Sequence, residues 1–256
     1  MRPRSGIRRF IDRTVAKVFV SLCGPFVRYC DAGGQFLLFE ISNPRDVIQG
    51  RHFWGDVYEL GLLQEISRYL PQNAQIADIG ANIGNHAVYW GRVCATKIVR
   101  VIEVNPDAIA ILKRNIRLNC LEDVVDSSKL GVGAGRENAA GFGLKPEAGN
   151  LGGTRLAQGT GSLQVAPGDT LLEGMTPDLI KIDVEGMELD VLAGLTSTVA
   201  TTRPLIFVEV DHNNRQTFLK WMAEQNYETL RSFGQERDNE NFLIVPAEKA
   251  ETFQSK

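Results

Sequence analysis

The sequence predicts an α/β fold with a doubly wound, mostly parallel sheet that helices cover on both faces. The first observation is alternation: from residue 75 onward, short strand-like apolar runs are separated by segments with helical periodicity. The second is size, because 256 residues fit one large α/β domain with a small appendage. The third is composition, since 43% hydrophobic and 23% charged residues are ordinary for a globular protein.

Residues 1–50 are expected to form a small helix and hairpin extension ahead of the main domain at residues 51–256. Two strand-like runs, "FVRYC" and "QFLLFEI", flank the turn "DAGG" and predict a β-hairpin over residues 26–41. The first 17 residues carry six cations and one acid, a net +5 that leaves −8 for the rest of a chain of net −3.

The apolar stretch behind the first cations is broken by Lys17 and Pro25. It is also shorter than the roughly 20 apolar residues that span a bilayer. It is therefore interpreted as a surface helix. Weak contact with an anionic membrane surface and pairing in a homodimer are the alternatives.

The remaining elements follow in order along the chain. Helical spacing of apolar residues predicts a helix over residues 57–70 that Pro71 ends. Asn105 and Pro106 suit the N-cap and the first position of a later helix. The other predicted strands lie at residues 75–80, 97–104, 123–130, 178–184, 204–210, 227–233 and 241–246, and the other predicted helices at residues 84–94, 186–195 and 215–227. A short loop joins the last two strands, so they are expected to pair antiparallel.

Residues 131–168 are the exception to this alternation, because they are rich in glycine and lack a clear periodicity. They are interpreted as a flexible loop or a small hairpin insertion. Long irregular segments in compact domains often form lids or substrate walls, and such a role is expected for this one.

The segment "DIGANIG" forms the first strand-to-helix turn of the predicted sheet. Glu103 ends the next strand, where a ribose-binding acid belongs in a nucleotide-binding fold. However, Gly80 and Gly84 have the spacing G-x-x-x-G, and Asp78 brings a negative charge where a pyrophosphate would sit. The pattern favours a cationic nucleoside, S-adenosylmethionine, as the cofactor. A NAD-dependent oxidoreductase and a non-catalytic nucleoside-binding module remain the alternatives.

Four segments, "DIGANIGNHAVYW", "VIEVNPDAIAILKRNIRLN", "PDLIKIDVEGMELDVLAGL" and "RPLIFVEV", resemble the FkbM family of S-adenosylmethionine-dependent methyltransferases. The resemblance covers residues 58–210. It implies a class I methyltransferase (Rossmann-like) fold, with a seven-stranded sheet whose last strand is antiparallel. It also implies O-methylation of a hydroxyl on a sugar, glycan or polyketide-type natural product. The cofactor-binding residues that it implies are Asp78, Gly80, Asn82, Gly84 and Glu103. Glu59 matches a family position and is expected to contact the amino-acid arm of the cofactor, with a solvated helix face as the alternative. Asp183 is expected to lie next to the reactive methyl group of the cofactor.

The run "KIDVEG" is the best candidate for the catalytic residues, because strand alternation places Asp183 and Glu185 on one side at the mouth of the site. Glu209 and Asp211 end the following strand with the same parity. These acids are expected to supply a general base or, through their oxygens, to hold a divalent cation. In the alternative interpretation Asp183 pairs with Lys181 inside the sheet and Glu185 caps the next helix.

His86, in the first turn after the glycine loop, is the third catalytic candidate, with packing or capping as its alternative role. His52 and His212 are weaker candidates for the site.

The expected partner is a small-molecule or glycan acceptor. A net charge of −3 gives no overall attraction to nucleic acid. Four cysteines without metal-type spacing, and no recognisable secretory signal, favour a cytoplasmic protein with reduced thiols.

Overall fold

The computed structural model describes residues 6–147, 149–234 and 239–254. The helices are α1 (Gly6–Cys23), α2 (Val47–Phe53), α3 (Leu60–Ser67), α4 (Asn85–Val93), α5 (Pro106–Leu118), α6 (Gly168–Leu171), α7 (Glu188–Gly194), α8 (Thr196–Thr202), α9 (Arg215–Glu224) and α10 (Ala250–Gln254), with a 3₁₀ turn at Ala247–Lys249. The strands are β1 (Phe26–Asp31), β2 (Phe36–Ile41), β3 (Gln75–Ile79), β4 (Ile98–Ile102), β5 (Val125–Asp126), β6 (Val132–Gly135), β7 (Ala139–Glu147), β8 (Asn150–Gln158), β9 (Leu163–Pro167), β10 (Leu179–Ile182), β11 (Leu205–Asp211), β12 (Tyr227–Phe233) and β13 (Asn239–Pro246).

The central sheet has seven strands in the order β12-β13-β11-β10-β3-β4-β5. Strand β13 runs antiparallel to both of its neighbours, and the other neighbouring pairs are parallel. The mostly parallel sheet with an antiparallel last strand is therefore confirmed. Its strand order reverses direction at β3, between β4 and β10, which is where open α/β sheets bind their ligands.

Helices cover both faces of this sheet, so its central strands are buried on either side. On one face Ile76 belongs to a hydrophobic core with Trp90 and Leu112. On the other face Ala77 belongs to a second core with Leu192. Alternate residues of β3 enter the two cores, which explains why its sequence is almost continuously apolar.

The helix predicted over residues 57–70 is shorter than expected. It begins at Leu60 because Glu59, its N-cap residue, adopts a left-handed backbone with φ of +55°. The predicted cap of α5 is confirmed, since the side chain of Asn105 accepts the backbone N–H of Asp107 and Pro106 follows it.

The hairpin predicted at residues 26–41 is present as the antiparallel pair β1–β2. It is attached to the main domain through α5: Asn119 and Asn115 accept the backbone N–H groups of Leu38 and Glu40 at 3.0 and 2.9 Å. Polar side chains of α5 thus satisfy backbone groups of β2, and the hairpin lies directly against the sheet domain.

The glycine-rich segment forms a second sheet, in the order β6-β9-β7-β8, whose longest strands β7 and β8 pair as a hairpin. A flexible loop is therefore the wrong interpretation of residues 131–168, and a hairpin accounts for only half of the sheet. Several of its glycines allow close packing. A Cβ on Gly143 would overlap Thr160, and one on Gly161 would overlap Phe142. Gly143, within β7, thus removes a side chain from the strand pattern at a point where two backbones approach each other.

Over the described part of the chain, no helix has both the length and the apolar character that crossing a membrane requires. The four cysteines form no disulfide with one another.

Candidate active site

A cavity of about 730 Å³ lies at the carboxyl ends of β3, β4, β10 and β11, beside the point where the strand order reverses. Its floor is formed by strand-end residues, among them Gly80, Glu103, Asp183 and Glu209. The hairpin β7–β8 and the start of α2 form its outer wall. The topology therefore brings chemistry-bearing residues from four strands into one space.

The glycine loop after β3 is held close to the end of β10. Gly80 has φ of +78°, and a Cβ there would overlap the carbonyl oxygen of Asp183. Gly84 has φ of +83°, and a Cβ there would press on Leu112 of α5. Asn82, between them, also has a left-handed backbone. Glycine at position 80 is thus required by the packing of two strand ends, independently of any ligand.

Asp78 lies beneath the cavity and not in its wall. Its side chain is completely buried, and its Oδ1 lies 3.2 Å from Nζ of Lys181, which is also buried. The Lys181 ammonium donates to the carbonyl oxygen of Gly80 at 2.5 Å and lies 3.4 Å from Asp183. Burial works to lower the pKa of Lys181, but the charges of Asp78 and Asp183 outweigh it and hold that pKa above its usual value. The nearest opposite charge to Asp78 is therefore a lysine of the protein itself.

Glu103 is positioned by backbone groups. Its Oε2 accepts the N–H of Asn82, and its Oε1 accepts the N–H groups of Val104 and Asn105, each at 2.8 Å. Burial raises the pKa of Glu103, and these N–H donors partly oppose that shift. The carboxylate lines the cavity with its orientation set by three hydrogen bonds.

Glu59 and His86 form a pair at another part of the cavity wall. Oε2 of Glu59 lies 3.0 Å from Nε2 of His86. Burial works to raise the pKa of Glu59, but hydrogen bonding to His86 and the charges of His86 and Lys181 bring it below its usual value. Because Glu59 also holds a strained left-handed backbone, its carboxylate is placed at the cavity at a conformational cost.

His52 and His212 do not line the cavity. His52 is completely buried, stacks on Phe39 with ring centroids 3.9 Å apart, and places Nε2 2.8 Å from Oδ1 of Asn85. Burial lowers the pKa of His52 to about 4, so its ring is neutral at physiological pH. His212 is exposed at the end of β11.

Asp183, Glu185 and Glu209 meet in one cluster, with one carboxylate oxygen of each within 4.8 Å of the others. Burial, together with the charge of Asp183, raises the pKa of Glu185 to about 7. Burial and the charges of Asp183 and Glu185 also raise the pKa of Glu209, whose Oε1 accepts a hydrogen bond from Asn239 at 2.5 Å. The cluster is therefore able to accept a proton near neutral pH or to offer oxygen ligands to a cation.

The alternative interpretation of these acids had two parts, an ion pair of Asp183 with Lys181 and a helix cap by Glu185, and the structure contains only the first. Asp183 does pair with Lys181, and it lines the cavity as well. Glu185 does not cap α7, which begins at Glu188 after the N-cap residue Met187. Glu185 instead has φ of +49°, so its backbone is strained at the cavity edge. Asp211 ends β11 outside the cavity wall.

The hairpin β7–β8 supplies the cations of the outer wall, Lys145 and Arg155. It is fastened to the start of α2, because Oδ2 of Asp46 accepts the N–H of Leu151 at 2.8 Å. Asn239, Lys145 and Arg155 were not found as site residues from the sequence, since nothing in their local pattern distinguishes them from exposed strand residues. The pairing of β7 with β8 brings Lys145 and Arg155 to the cavity, and the pairing of β13 with β11 brings Asn239 there.

Comparison with known proteins gives a family and one curated relative. The model of the methyltransferase FkbM domain matches residues 78–234. The hexuronic acid methyltransferase AglP of Haloferax volcanii is 30% identical over 191 residues, which cover 70% of this chain and 72% of that protein.

Two solved structures resemble the fold. A Pyrococcus horikoshii protein has a TM-score of 0.52 at 12% identity, covering 91% of this chain and 81% of its own. A methyltransferase FkbM from Methylobacillus flagellatus has a TM-score of 0.47 at 20% identity. That match covers 68% of this chain and 44% of the solved one, so the chain spans less than half of that protein.

Proposed function

This chain belongs to the FkbM family of methyltransferases, and we propose that it transfers a methyl group to an oxygen of an acidic sugar. The family makes the chain an S-adenosylmethionine-dependent methyltransferase. An oxidoreductase that uses NAD and a non-catalytic nucleoside-binding module are accordingly not favoured. The acceptor and the roles of individual residues are the content of the proposal.

One observation carries the proposal: a single cavity joins two sets of polar groups. Glu103 and Glu59 lie on its wall with carboxylates that protein hydrogen bonds hold in place. The acid cluster Asp183, Glu185 and Glu209 faces the same space. A methyl donor and an acceptor need such a shared space, because in-line displacement depends on short, aligned contact.

The first set fits S-adenosylmethionine. This cofactor supplies a methyl group on a positively charged sulfur, which is a good leaving group. Glu103 would accept hydrogen bonds from the ribose hydroxyls, since its two oxygens are aimed by backbone N–H groups and still line the cavity. Glu59 would bind the ammonium of the amino-acid arm, and His86 would position Glu59 through their hydrogen bond.

The glycine loop would support this binding mainly through its backbone. Gly80 and Gly84 set the path of the loop, and Asn82 donates its N–H to Glu103. Asp78 would act indirectly, by fixing Lys181 beneath the loop, where the ammonium also donates to the Gly80 carbonyl.

The acid cluster would take the proton from the acceptor hydroxyl. The pKa of Glu185 is raised to about 7. A substantial fraction of the Glu185 side chains is therefore ionised at physiological pH and able to accept a proton. Asp183, held by Lys181 at 3.4 Å, would orient the acceptor beside it. If the acceptor oxygen were already ionised, as in a carboxylate, no base would be needed, and the site would only have to orient the acceptor towards the methyl group.

A sugar acid suits the outer wall of the cavity. Arg155 and Lys145 present cations there, and both lie on the hairpin that faces the strand ends. Guanidinium and ammonium groups bind carboxylates by charge-assisted hydrogen bonds. The relative from Haloferax volcanii is named for a hexuronic acid, which carries such a carboxylate.

A divalent cation is the second possibility for the cluster. Three carboxylate oxygens within 4.8 Å of one another match the hard oxygen ligands that magnesium and calcium prefer. A cation there would polarise the acceptor hydroxyl and replace the general base. Activity in the presence of a chelator distinguishes the two: full activity in EDTA supports the base, and activity restored by magnesium supports the cation.

The proposal is tested by binding and by turnover. S-adenosylhomocysteine should stabilise the protein by roughly 2.7 kcal/mol at 100-fold excess over its Kd, while NAD should have no effect. With labelled S-adenosylmethionine, methyl transfer to oligosaccharides that end in a uronic acid should exceed transfer to the matched neutral oligosaccharides. Equal transfer to both would contradict the acidic acceptor.

The variant Arg155→Gln should raise KM for the acidic acceptor and leave KM for S-adenosylmethionine unchanged. Arg136→Gln is the matched control, because Arg136 is exposed, pairs with Asp190 and lies outside the cavity wall.

A further inference from the structure

The large hydrophobic side chains that remain exposed are concentrated at one end of the chain. Among the described residues, the large apolar side chains found to be exposed all lie between positions 15 and 47; they are Val15, Val18, Phe19, Leu22, Val27, Tyr29, Phe36 and Val47. Single exposed apolar residues are ordinary, but a concentration of this kind marks an interaction surface.

Helix α1 carries half of these residues in one stripe. Val15, Val18, Phe19 and Leu22 have the spacing i, i+3, i+4 and i+7, which places them on one side of the helix. Ala16, on another side, is buried. The helix is therefore packed against the protein through one side while a second apolar side remains open.

The neighbouring hairpin carries a second set of exposed apolar side chains. Val27 and Tyr29 are two residues apart on β1 and so point to the same side of the strand. The rings of Tyr29 and Phe36 are in edge contact, with centroids 6.4 Å apart. The ring of Phe19, in α1, contacts that of Phe26, in β1, at 6.0 Å. Phe26 alternates with Val27 and Tyr29 along β1, so this contact lies on the other side of the strand. The apolar stripe of α1 and the exposed apolar side of the hairpin are therefore two neighbouring patches.

Helix α1, which carries the stripe, is rich in cations: its sequence has four of them and one acid. The first 17 residues carry a net +5, and the remainder carries −8. Lys17 and Arg28 are exposed on the helix and the hairpin themselves. A negatively charged surface would attract this end of the protein and repel the remainder, which fixes one orientation.

We propose that the outer sides of α1 and β1–β2 dock on a membrane surface that contains anionic phospholipid. The apolar stripe would enter the headgroup boundary, and the basic residues would contact the lipid phosphates. This contact is peripheral, with α1 lying along the interface. It does not depend on which acceptor is methylated.

A second copy of the chain is the competing occupant of this surface. A two-fold dimer would place the same patch of each protomer against the other. Two copies of α1, each with four cations and one acid, would then approach each other and repel, whereas an anionic bilayer attracts this charge and also covers the apolar stripe. The charge therefore favours the membrane.

The test is sedimentation of the full chain with vesicles. Vesicles of phosphatidylcholine mixed with phosphatidylglycerol should bind the protein, and vesicles of phosphatidylcholine alone should not. The variant Phe19→Gln/Leu22→Gln should weaken partitioning at least about tenfold, because two apolar side chains lose their burial. The variant Arg13→Gln/Lys17→Gln should weaken it roughly 30-fold, and high salt should have the same effect.

Ser21→Gln is the matched control, since Ser21 is exposed on α1 but lies off the stripe. It should bind vesicles like the unaltered protein, and all variants should keep the same melting temperature. Equal binding to both kinds of vesicle, or none to either, would overturn the proposal. So would a dimer in light scattering that Phe19→Gln/Leu22→Gln converts to monomer.

Discussion

The ammonium of Lys181 lies 3.2 Å from the carboxylate of Asp78; both side chains are buried, and Lys181 lines the cavity while Asp78 does not. The same ammonium lies 3.4 Å from Asp183, which does reach the cavity. Lys181 therefore links a residue of the glycine-loop strand to a residue of the proposed catalytic cluster. Buried charges of this kind are stable only while each retains its partner.

We expect Lys181→Met to destabilise the fold strongly. The substitution keeps an unbranched side chain but leaves the Asp78 carboxylate buried without its cation, which typically costs about 3–5 kcal/mol. Urea unfolding followed by circular dichroism measures this change. The double variant Asp78→Asn/Lys181→Met should recover part of the loss, because no unpaired charge then remains. A single variant with unchanged stability would show that solvent reaches Asp78.

Glu103→Gln should weaken the binding of S-adenosylhomocysteine. A neutral amide keeps the size of the side chain but loses the charge that would strengthen the two hydrogen bonds to ribose, so Kd should rise roughly 10- to 100-fold. Isothermal titration calorimetry measures Kd. Glu137→Gln, which changes an exposed glutamate outside the cavity, is the control. An unchanged Kd in Glu103→Gln would remove this residue from the proposed cofactor site.

Asp183→Asn should separate turnover from cofactor binding. If Asp183 orients the acceptor, kcat should fall on the order of 100-fold while Kd for S-adenosylhomocysteine changes little. Asp190→Asn is the control, since Asp190 is a half-exposed residue of α7 that pairs with Arg136. Retained turnover in Asp183→Asn would give Asp183 a structural role, as the partner of Lys181 alone.

Glu185 should set the pH dependence of the rate. Because its pKa is raised to about 7, kcat/KM should increase as the pH rises through 7 and then level off as the carboxylate becomes fully ionised. Rates in overlapping buffers from acid to mildly alkaline pH measure the profile. Glu185→Gln should remove the rise near pH 7, and Glu173→Gln, at an exposed position, should keep it. A rise that persists in Glu185→Gln would assign the base to another group.

Glu185 should also lower stability at alkaline pH. Its pKa in the fold, about 7, lies above the 4.5 of an unperturbed glutamate, so the folded chain holds a proton that the unfolded chain releases. Stability is therefore unaffected by this group below pH 4.5, declines as the pH rises from there to about 7, and stays at the lowered value above. After solvent screening, Glu185→Gln should gain on the order of 1 kcal/mol at pH 8 and nothing at pH 4. Melting curves at both pH values check the sign.

Much of the sheet could be predicted because its signals are local. Buried parallel strands give apolar runs, and Asn105 with Pro106 marks a helix start through the chemistry of one turn. The small second sheet was not predicted, since glycines within its strands, such as Gly143, remove the side-chain pattern that would reveal them. Its cations Lys145 and Arg155 reach the cavity through strand pairing, which local sequence does not encode.

The sequence by itself determined the fold class and the family, because these follow from motifs that are local along the chain, and the cofactor follows from the family. The tertiary structure decided where the charges lie. Asp78 faces Lys181 instead of the cavity, because β10 and β3 are neighbours across a hundred residues of sequence. The apolar stripe of α1 remains open because the packing that covers Ala16 uses only one side of the helix. Burial and pairing depend on distant segments meeting, and that information appears only when the chain is folded.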